Sequence, residues 1–408
     1  MYLKIELKPL MDSRLNFGFG FPPGFSLLRH RLLSFPVTSL VPLKLSPPPF
    51  GEGIAAKRRF PGARRGPIEG VSDELNLIAS QSLDQALARR RVRSAFVDVQ
   101  QRLDHCLFTR APTGIRTEEW YERNSEGMDI FCKSWLPEPD IRIKALVFFC
   151  HGYGSTCTFF FDGIAKQIAG SGYGVFAIDH PGFGLSDGLH GYISSFDKLV
   201  ENAIEQYTKI KGRPEFRGLP RFLLGQSMGG AIALKVHLKE SQAWNGLILV
   251  APMCKIAEDV KPPPLLLKAL ILMSTLFPKA KLFPKQDLDD LFFRDPMKRK
   301  TSGYNVISYD DRTRLRTAVE LLNATRDIEM QADQVSLPLL ILHGAADKVT
   351  SPSASKFLYE KATSKDKTLK LYDGGFHCIM EGEYDDRIFA VISDIIDWLD
   401  AHSSAKRI

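Results

Sequence analysis

The 408-residue chain is poor in several features that would mark a special environment. Its six cysteines stand at positions 106, 132, 150, 157, 254 and 378, with no pair at Cys-x-x-Cys spacing. Zinc-ribbon and thioredoxin-type chemistry therefore has no support, and cysteines inside apolar runs such as Leu146–Cys150 read as buried reduced thiols. Long apolar runs are also lacking. The longest, Leu265–Phe277, is interrupted by Lys268 and falls short of the ~20 residues a bilayer span needs. No uninterrupted apolar stretch with a small-residue cleavage pattern follows Met1, so a secretory signal is not expected. Acidic residues are scarce at one end only. Residues 13–51 contain none, and residues 1–72 hold eleven Lys/Arg against four acids. The whole net charge of +7 thus sits in this segment, and the remaining body is neutral. A nucleic-acid partner would want basic residues spread over a folded face, and none is expected.

The acid-poor, Pro-, Ser- and Leu-rich start, followed by Lys57-Arg58-Arg59 and Arg64-Arg65, makes residues 1–72 read as a disordered basic extension with the character of an organelle transit peptide. Its prolines disfavour an amphipathic presequence helix, which places chloroplast ahead of mitochondrion; cytoplasm or a peripheral membrane location is the alternative. Residues 73–114 read as a helical lead-in. Ser72 or Asp73 is the cap, and Leu75, Leu77, Ile78, Leu83 and Leu87 form a stripe that Phe96, Val99, Leu103 and Leu107 continue beyond the basic tract at Arg89.

From about residue 115 the chain alternates. Apolar β-type runs at 130–136, 146–150, 175–178, 222–224, 247–250, 339–342 and 369–372 are interleaved with amphipathic stretches at 159–169, 196–209, 228–238, 353–361 and 387–399. Such alternation predicts βαβ units, a mostly parallel central sheet and flanking helices. Between Val250 and Leu339 it stops. The interval carries helix signals and prolines and is too long for a loop, so 251–330 reads as an inserted helical cap on a core of 115–250 and 331–402. Within it, Leu265–Phe277 is apolar on most faces and has Lys255, Lys261, Lys268, Lys279, Lys281 and Lys285 around it. That pattern suits peripheral contact with a lipid surface and an acyl-chain tunnel; an ordinary packed cap helix is the competing reading.

The sharpest motif is Gly225-Gln226-Ser227-Met228-Gly229-Gly230, between a predicted strand and a predicted helix. A Gly-x-Ser-x-Gly in that context is a nucleophile elbow. The turn is so tight that side chains at 225 and 229 would meet neighbouring backbone, and the serine hydroxyl is projected past the strand end. Serine needs a base near neutral pH. His377 follows the last predicted strand in a glycine-containing loop, and Asp347 follows the strand before it. Ser227, Asp347 and His377 in that order, each past a strand C-terminus, match the α/β-hydrolase arrangement. An oxyanion hole requires two backbone N–H groups; Met228, after the serine, and Tyr153, in the His151-Gly152-Tyr153-Gly154 loop, are the candidates. His151 reads as a loop brace. The loop Asp179–Gly188 lacks the lysine of a P-loop, and Asp179 and Asp187 read as structural.

The segments HGYG, DHPGFGLSDGLHGYI, GQSMGG, LILHGAADKVT and GGFHCIMEGE resemble the serine α/β-hydrolases, and within them the monoacylglycerol lipase-like branch of plants that includes caffeoylshikimate esterase-type enzymes. The resemblance covers about residues 115–400. It implies an α/β-hydrolase fold with a cap over residues 251–330, Ser227 as nucleophile, His377 as base, Asp347 as its orienter, and Tyr153 and Met228 as oxyanion donors. The activity expected is hydrolysis of a carboxylic ester through an acyl-enzyme, without cofactor or metal. A small-molecule monoacylglycerol or lysolipid is the favoured substrate. A soluble phenolic ester such as caffeoyl shikimate, acyl transfer, cleavage of a peptide amide, and a ligand-binding protein without turnover are the alternatives. Oligomeric state is left open.

Overall fold

The computed structural model of the chain describes residues 66–256, 263–282 and 289–403. Of the 1–72 extension on which the transit reading rests, residues 1–65 lie outside them, as do Lys261 and Lys285.

Eight strands form one sheet: β1 (Arg116–Arg123), β2 (Asp129–Leu136), β3 (Leu146–Cys150), β4 (Gly174–Ile178), β5 (Arg221–Gln226), β6 (Gly246–Val250), β7 (Leu339–Gly344) and β8 (Lys367–Tyr372). Their order is β1-β2-β4-β3-β5-β6-β7-β8. β3 to β8 are parallel, while β2 runs antiparallel to both β1 and β4. Chain direction across the sheet reverses between β3 and β5, and a crevice opens there beyond the strand ends.

Side chains alternate across the pleat as a two-sided sheet requires. Val147, Phe149, Phe222, Leu224, Ile248 and Val250 enter one apolar cluster. Leu146, Phe148, Leu223, Leu247 and Leu249 enter the other. α1 (Asp73–Ser80), α2 (Ala86–Gln100), α3 (Cys106–Thr109), α4 (Phe160–Gly170) and the C-terminal helix Asp385–Ser403 serve the first face. α5 (Phe196–Lys211), α6 (Met228–Lys239) and the helix Pro352–Lys361 serve the second. All six cysteines are buried.

β1 is absent from the sequence reading. It is an edge strand whose residues are mostly exposed, and its charges, with Glu119 2.8 Å from Lys133 of β2, hide it from a search for apolar runs while blocking edge pairing.

The segment before the core also departs from expectation. Residues 66–72 are not part of a structureless tail: Ile68 is buried in the first apolar cluster, and the folded body reaches back at least to Gly66. Leu77 and Leu87 of the predicted stripe face solvent. Arg89, read as part of a basic tract, is fully buried instead. Its guanidinium donates to the carbonyls of Leu83, Asp84, Gly184, Ser186 and Gly188, so the charge is satisfied by backbone dipoles. Burial pushes its pKa down to about 10, with Asp179 pulling it up; it stays protonated at neutral pH. The lead-in is thereby bolted to the 184–188 loop.

Between β6 and β7 the described residues include four α-helices, α7 (Pro264–Leu276), α8 (Asp289–Phe292), α9 (Pro296–Ser302) and α10 (Leu315–Met330). α7 packs Leu266, Leu267 and Leu270 on Leu315, Ala318 and Leu322 of α10. The other side of α10, through Leu321, Ala324 and Ile328, joins the core cluster of α5 and α6. This helix therefore belongs to cap and core alike. Two of the lysines expected to edge α7 are engaged elsewhere, Lys255 with Glu329 and Lys281 with Asp311.

Candidate active site

Ser227 sits between β5 and α6 with φ 56° and ψ −120°, a region non-glycine residues rarely adopt. Its surroundings fix it there. Ser227 N–H donates to Val250 O at 3.0 Å, and its carbonyl accepts from Met253 N–H at 3.0 Å and Gly230 N–H at 2.9 Å. The flanking glycines are obligatory: a Cβ at 225 would lie 2.4 Å from Gly229 O, and one at 229 would lie 1.8 Å from Cys150 O.

The three predicted side chains meet. Ser227 Oγ is 3.0 Å from His377 Nε2, and His377 Nδ1 is 2.7 Å from Asp347 Oδ2. A carboxylate only accepts, so Nδ1 carries the ring proton and Nε2 is left to accept from the serine hydroxyl. Asp347 is buried and held at both oxygens. Oδ1 accepts from Val349 N–H at 2.6 Å and Thr350 N–H at 3.0 Å, and the Thr350 hydroxyl lies 2.8 Å from Oδ2. A second histidine, His343, places Nε2 3.0 Å from the same Oδ2, with Nδ1 2.6 Å from Ser355 Oγ. Sequence reasoning passed over His343, although it stands four residues before Asp347; asking which donors could satisfy a buried carboxylate would have found it. Burial opposes the charge on Asp347, yet His377 and the hydrogen bonds from His343 and His377 outweigh it and hold the carboxyl well below the usual range.

Gly152, in the loop after β3, packs against the serine: a Cβ there would lie 3.3 Å from Ser227 Cβ. Tyr153 follows it and lines the same cavity. Met228 is the first residue of α6, where a helix offers its N–H no acceptor. His151 braces the loop. It accepts from His180 N–H at 3.0 Å through Nε2, so its Nδ1–H donates to Gly152 O at 2.8 Å. Asp179 accepts from Thr156, Cys157 and Leu185, and Asp187 pairs with Arg90.

Ser227 and His377 open into a cavity of about 860 Å³. Phe160, Phe292 and Phe293 give part of its wall, and Ser302, Asp310 and Arg312 give polar ground. None of the described residues of α7 lines it, so the acyl-chain tunnel expected along that helix is not seen there. A buried carboxyl not anticipated from sequence, Glu381, accepts from Gln226 Nε2 at 2.9 Å and 3.1 Å. Burial pushes its pKa up, against the Gln226 bond. Among the described residues no cluster fit to hold a metal occurs.

The eight-stranded sheet and this constellation define an α/β-hydrolase. Residues 141–385 match the family described as Serine aminopeptidase, S33, and the chain belongs to that family. A caffeoylshikimate esterase from Arabidopsis thaliana is 35% identical over 70% of this chain and 86% of its own length. A monoglyceride lipase from Mus musculus is 30% identical over 68% of this chain and 88% of its own. The fold matches that of a soluble variant of monoglyceride lipase from Saccharomyces cerevisiae, in complex with a substrate analog, with a TM-score of 0.63 at 21% identity, covering 72% of this chain and 97% of that one.

The depressed Asp347 carboxyl predicts a pH signature. A carboxyl whose folded pKa lies below its unfolded value of ~3.9 contributes stability above that value and loses it as pH falls. Between about pH 5 and pH 2.5, the unfolding free energy of the native chain should decline more steeply than that of Asp347→Asn. Urea titrations across this range check it, and parallel slopes would contradict it.

Proposed function

We propose that this chain is a serine esterase acting through an acyl-enzyme, with monoacylglycerols or lysolipids as its substrates. The observation that carries the proposal is the relay Asp347–His377–Ser227, at 2.7 and 3.0 Å, ending on a strained serine at a cavity of about 860 Å³. His377 Nε2 takes the hydroxyl proton as Ser227 Oγ attacks the ester carbonyl. The imidazolium is stabilised by Asp347. The Met228 and Tyr153 amides receive the oxyanion. Collapse expels the alcohol, which leaves with the proton from Nε2; water then repeats the cycle on the acyl-enzyme. No step requires a metal or cofactor.

The substrate class is supported by the relatives named above and by the cavity, whose phenylalanines suit an acyl chain and whose polar residues suit a hydroxyl-bearing alcohol. Hydrolysis of monooleoylglycerol, lysophosphatidylcholine, caffeoyl shikimate and an aminoacyl amide by the purified chain beside Ser227→Ala tests it. Serine-dependent fatty-acid release is expected, reduced about a thousandfold or more in the variant. Preference for the phenolic ester would favour the second reading, for which the Arabidopsis relative speaks; amide cleavage alone would contradict both.

The membrane reading of α7 is a further part of the proposal. Its outer side exposes Leu265, Leu272 and Leu276, with Phe277 at its end. An apolar face of this kind lies in the headgroup region of a bilayer. Replacing Leu265, Leu272 and Leu276 by Ser should abolish flotation with anionic vesicles while sparing hydrolysis of p-nitrophenyl acetate; unchanged flotation would contradict it. For localisation, the composition of residues 1–72 supports plastid targeting. A reporter fused to them should enter plastids, and a diffuse signal would remove the claim.

A further inference from the structure

Residues 66–110 precede the segment matched by the family, 141–385, yet they reach the site. Gly66, Pro67, Ile68 and Glu69 line the same cavity as Ser227 and His377. This arm is fastened at three points. At its root, Ile68 N–H donates to Asn76 Oδ1 at 2.7 Å, and Asn76 Nδ2 donates back to Ile68 O and Val71 O at 3.4 and 3.3 Å. Ile68, 8% exposed, packs into the cluster that holds Phe96, Leu107 and Val306. Beside Ile68 the arm is tied to the cap: Tyr304 Oη donates to Glu69 O at 2.5 Å, and Glu69 Oε2 lies 3.0 Å from Lys300 Nζ.

The extension also holds the wall facing the arm. Gln100 Nε2 of α2 donates to Tyr304 O at 2.8 Å, so Tyr304 is gripped at both its ring hydroxyl and its carbonyl by residues of the extension. His105, whose Nδ1 accepts from Leu107 N–H, carries its proton on Nε2 and donates it to Glu381 O at 3.0 Å. That bond fastens the loop bearing His377. A solvated tail would need none of these bonds. A chain segment ordered at the cost of its backbone freedom, with an asparagine spent on its anchorage, is a built part of the cavity.

We propose that the arm Gly66–Glu69 is a specificity-determining wall of the substrate cavity, giving apolar contact to the part of the substrate away from the reacting ester. The inference rests on the serine-hydrolase reading of the site. It assigns to the extension a share in substrate selection, and it predicts that large apolar acyl groups depend on the arm while small ones do not.

Two full-length variants release the arm at its tie to α1, at a residue that does not line the cavity: Asn76→Ala, and Asn76→Leu, which keeps the side-chain volume. The probes are an ethyl and a dodecyl fluorophosphonate, whose labelling requires an activated serine but no ester turnover. In both variants the dodecyl labelling rate should fall at least about tenfold, the scale of losing contact with one apolar side chain, while the ethyl rate stays within about twofold. An unchanged ratio, a ratio that rises, or an equal loss with both probes would overturn the inference. A native chain that neither probe labels would instead remove the serine-hydrolase reading, and this inference with it.

Discussion

A backbone turn with no room for side chains sets the terms for the rest of the molecule. At Gly225 and Gly229 a single methyl would strike carbonyl oxygens at 2.4 and 1.8 Å. The strand therefore passes directly into the helix, and Ser227 is forced to a positive φ. Such a conformation persists only when its surroundings over-determine it. Here the surroundings are the sheet itself. β6 supplies the acceptor for the Ser227 amide, and Met253, just beyond β6, supplies a donor to its carbonyl. The loop after β3 closes from the other side with a glycine that no larger residue could replace without crowding the serine.

Around that fixed point the polar groups form a continuous chain. Ser355, His343, Asp347, His377 and Ser227 are linked by contacts of 2.6 to 3.0 Å. An unpaired carboxylate at the depth of Asp347 would be costly. Two backbone amides, a hydroxyl and two imidazoles converge on it, so the ion is stable and its orientation is set. The geometry of His377 follows from that anchorage. The proton on Nδ1 is committed to the carboxylate, and Nε2 is turned toward the serine with an open lone pair.

Much of this was legible because the sequence marks backbone constraints strongly. A glycine on each side of a serine, set between a β-type run and a helical one, specifies the elbow. The strand ends before Asp347 and His377 specify where those side chains emerge. Elements whose signals run against the usual composition stayed hidden. β1 is a strand made of charges, visible only as the partner of β2. Arg89 looks like surface in a basic tract, and only the carbonyls of a loop about a hundred positions later explain its burial. Residues 66–72 look like the end of a polar tail, because their anchor is a single asparagine and a tyrosine far along the chain. The lysines around α7 read as one basic edge, whereas Lys255 and Lys281 are held by carboxylates of the protein itself. In each case a long-range partner decided the outcome.

The proposed chemistry requires a covalent intermediate at Ser227. Rapid quenching of the enzyme during turnover of p-nitrophenyl butyrate, followed by mass spectrometry of its peptides, measures this directly. A butyryl mass increment on the peptide containing Ser227, formed within the first turnover and decaying as substrate is exhausted, is the predicted result. Steady hydrolysis with no acyl group on that peptide, or an acyl group carried on a different residue, would contradict it.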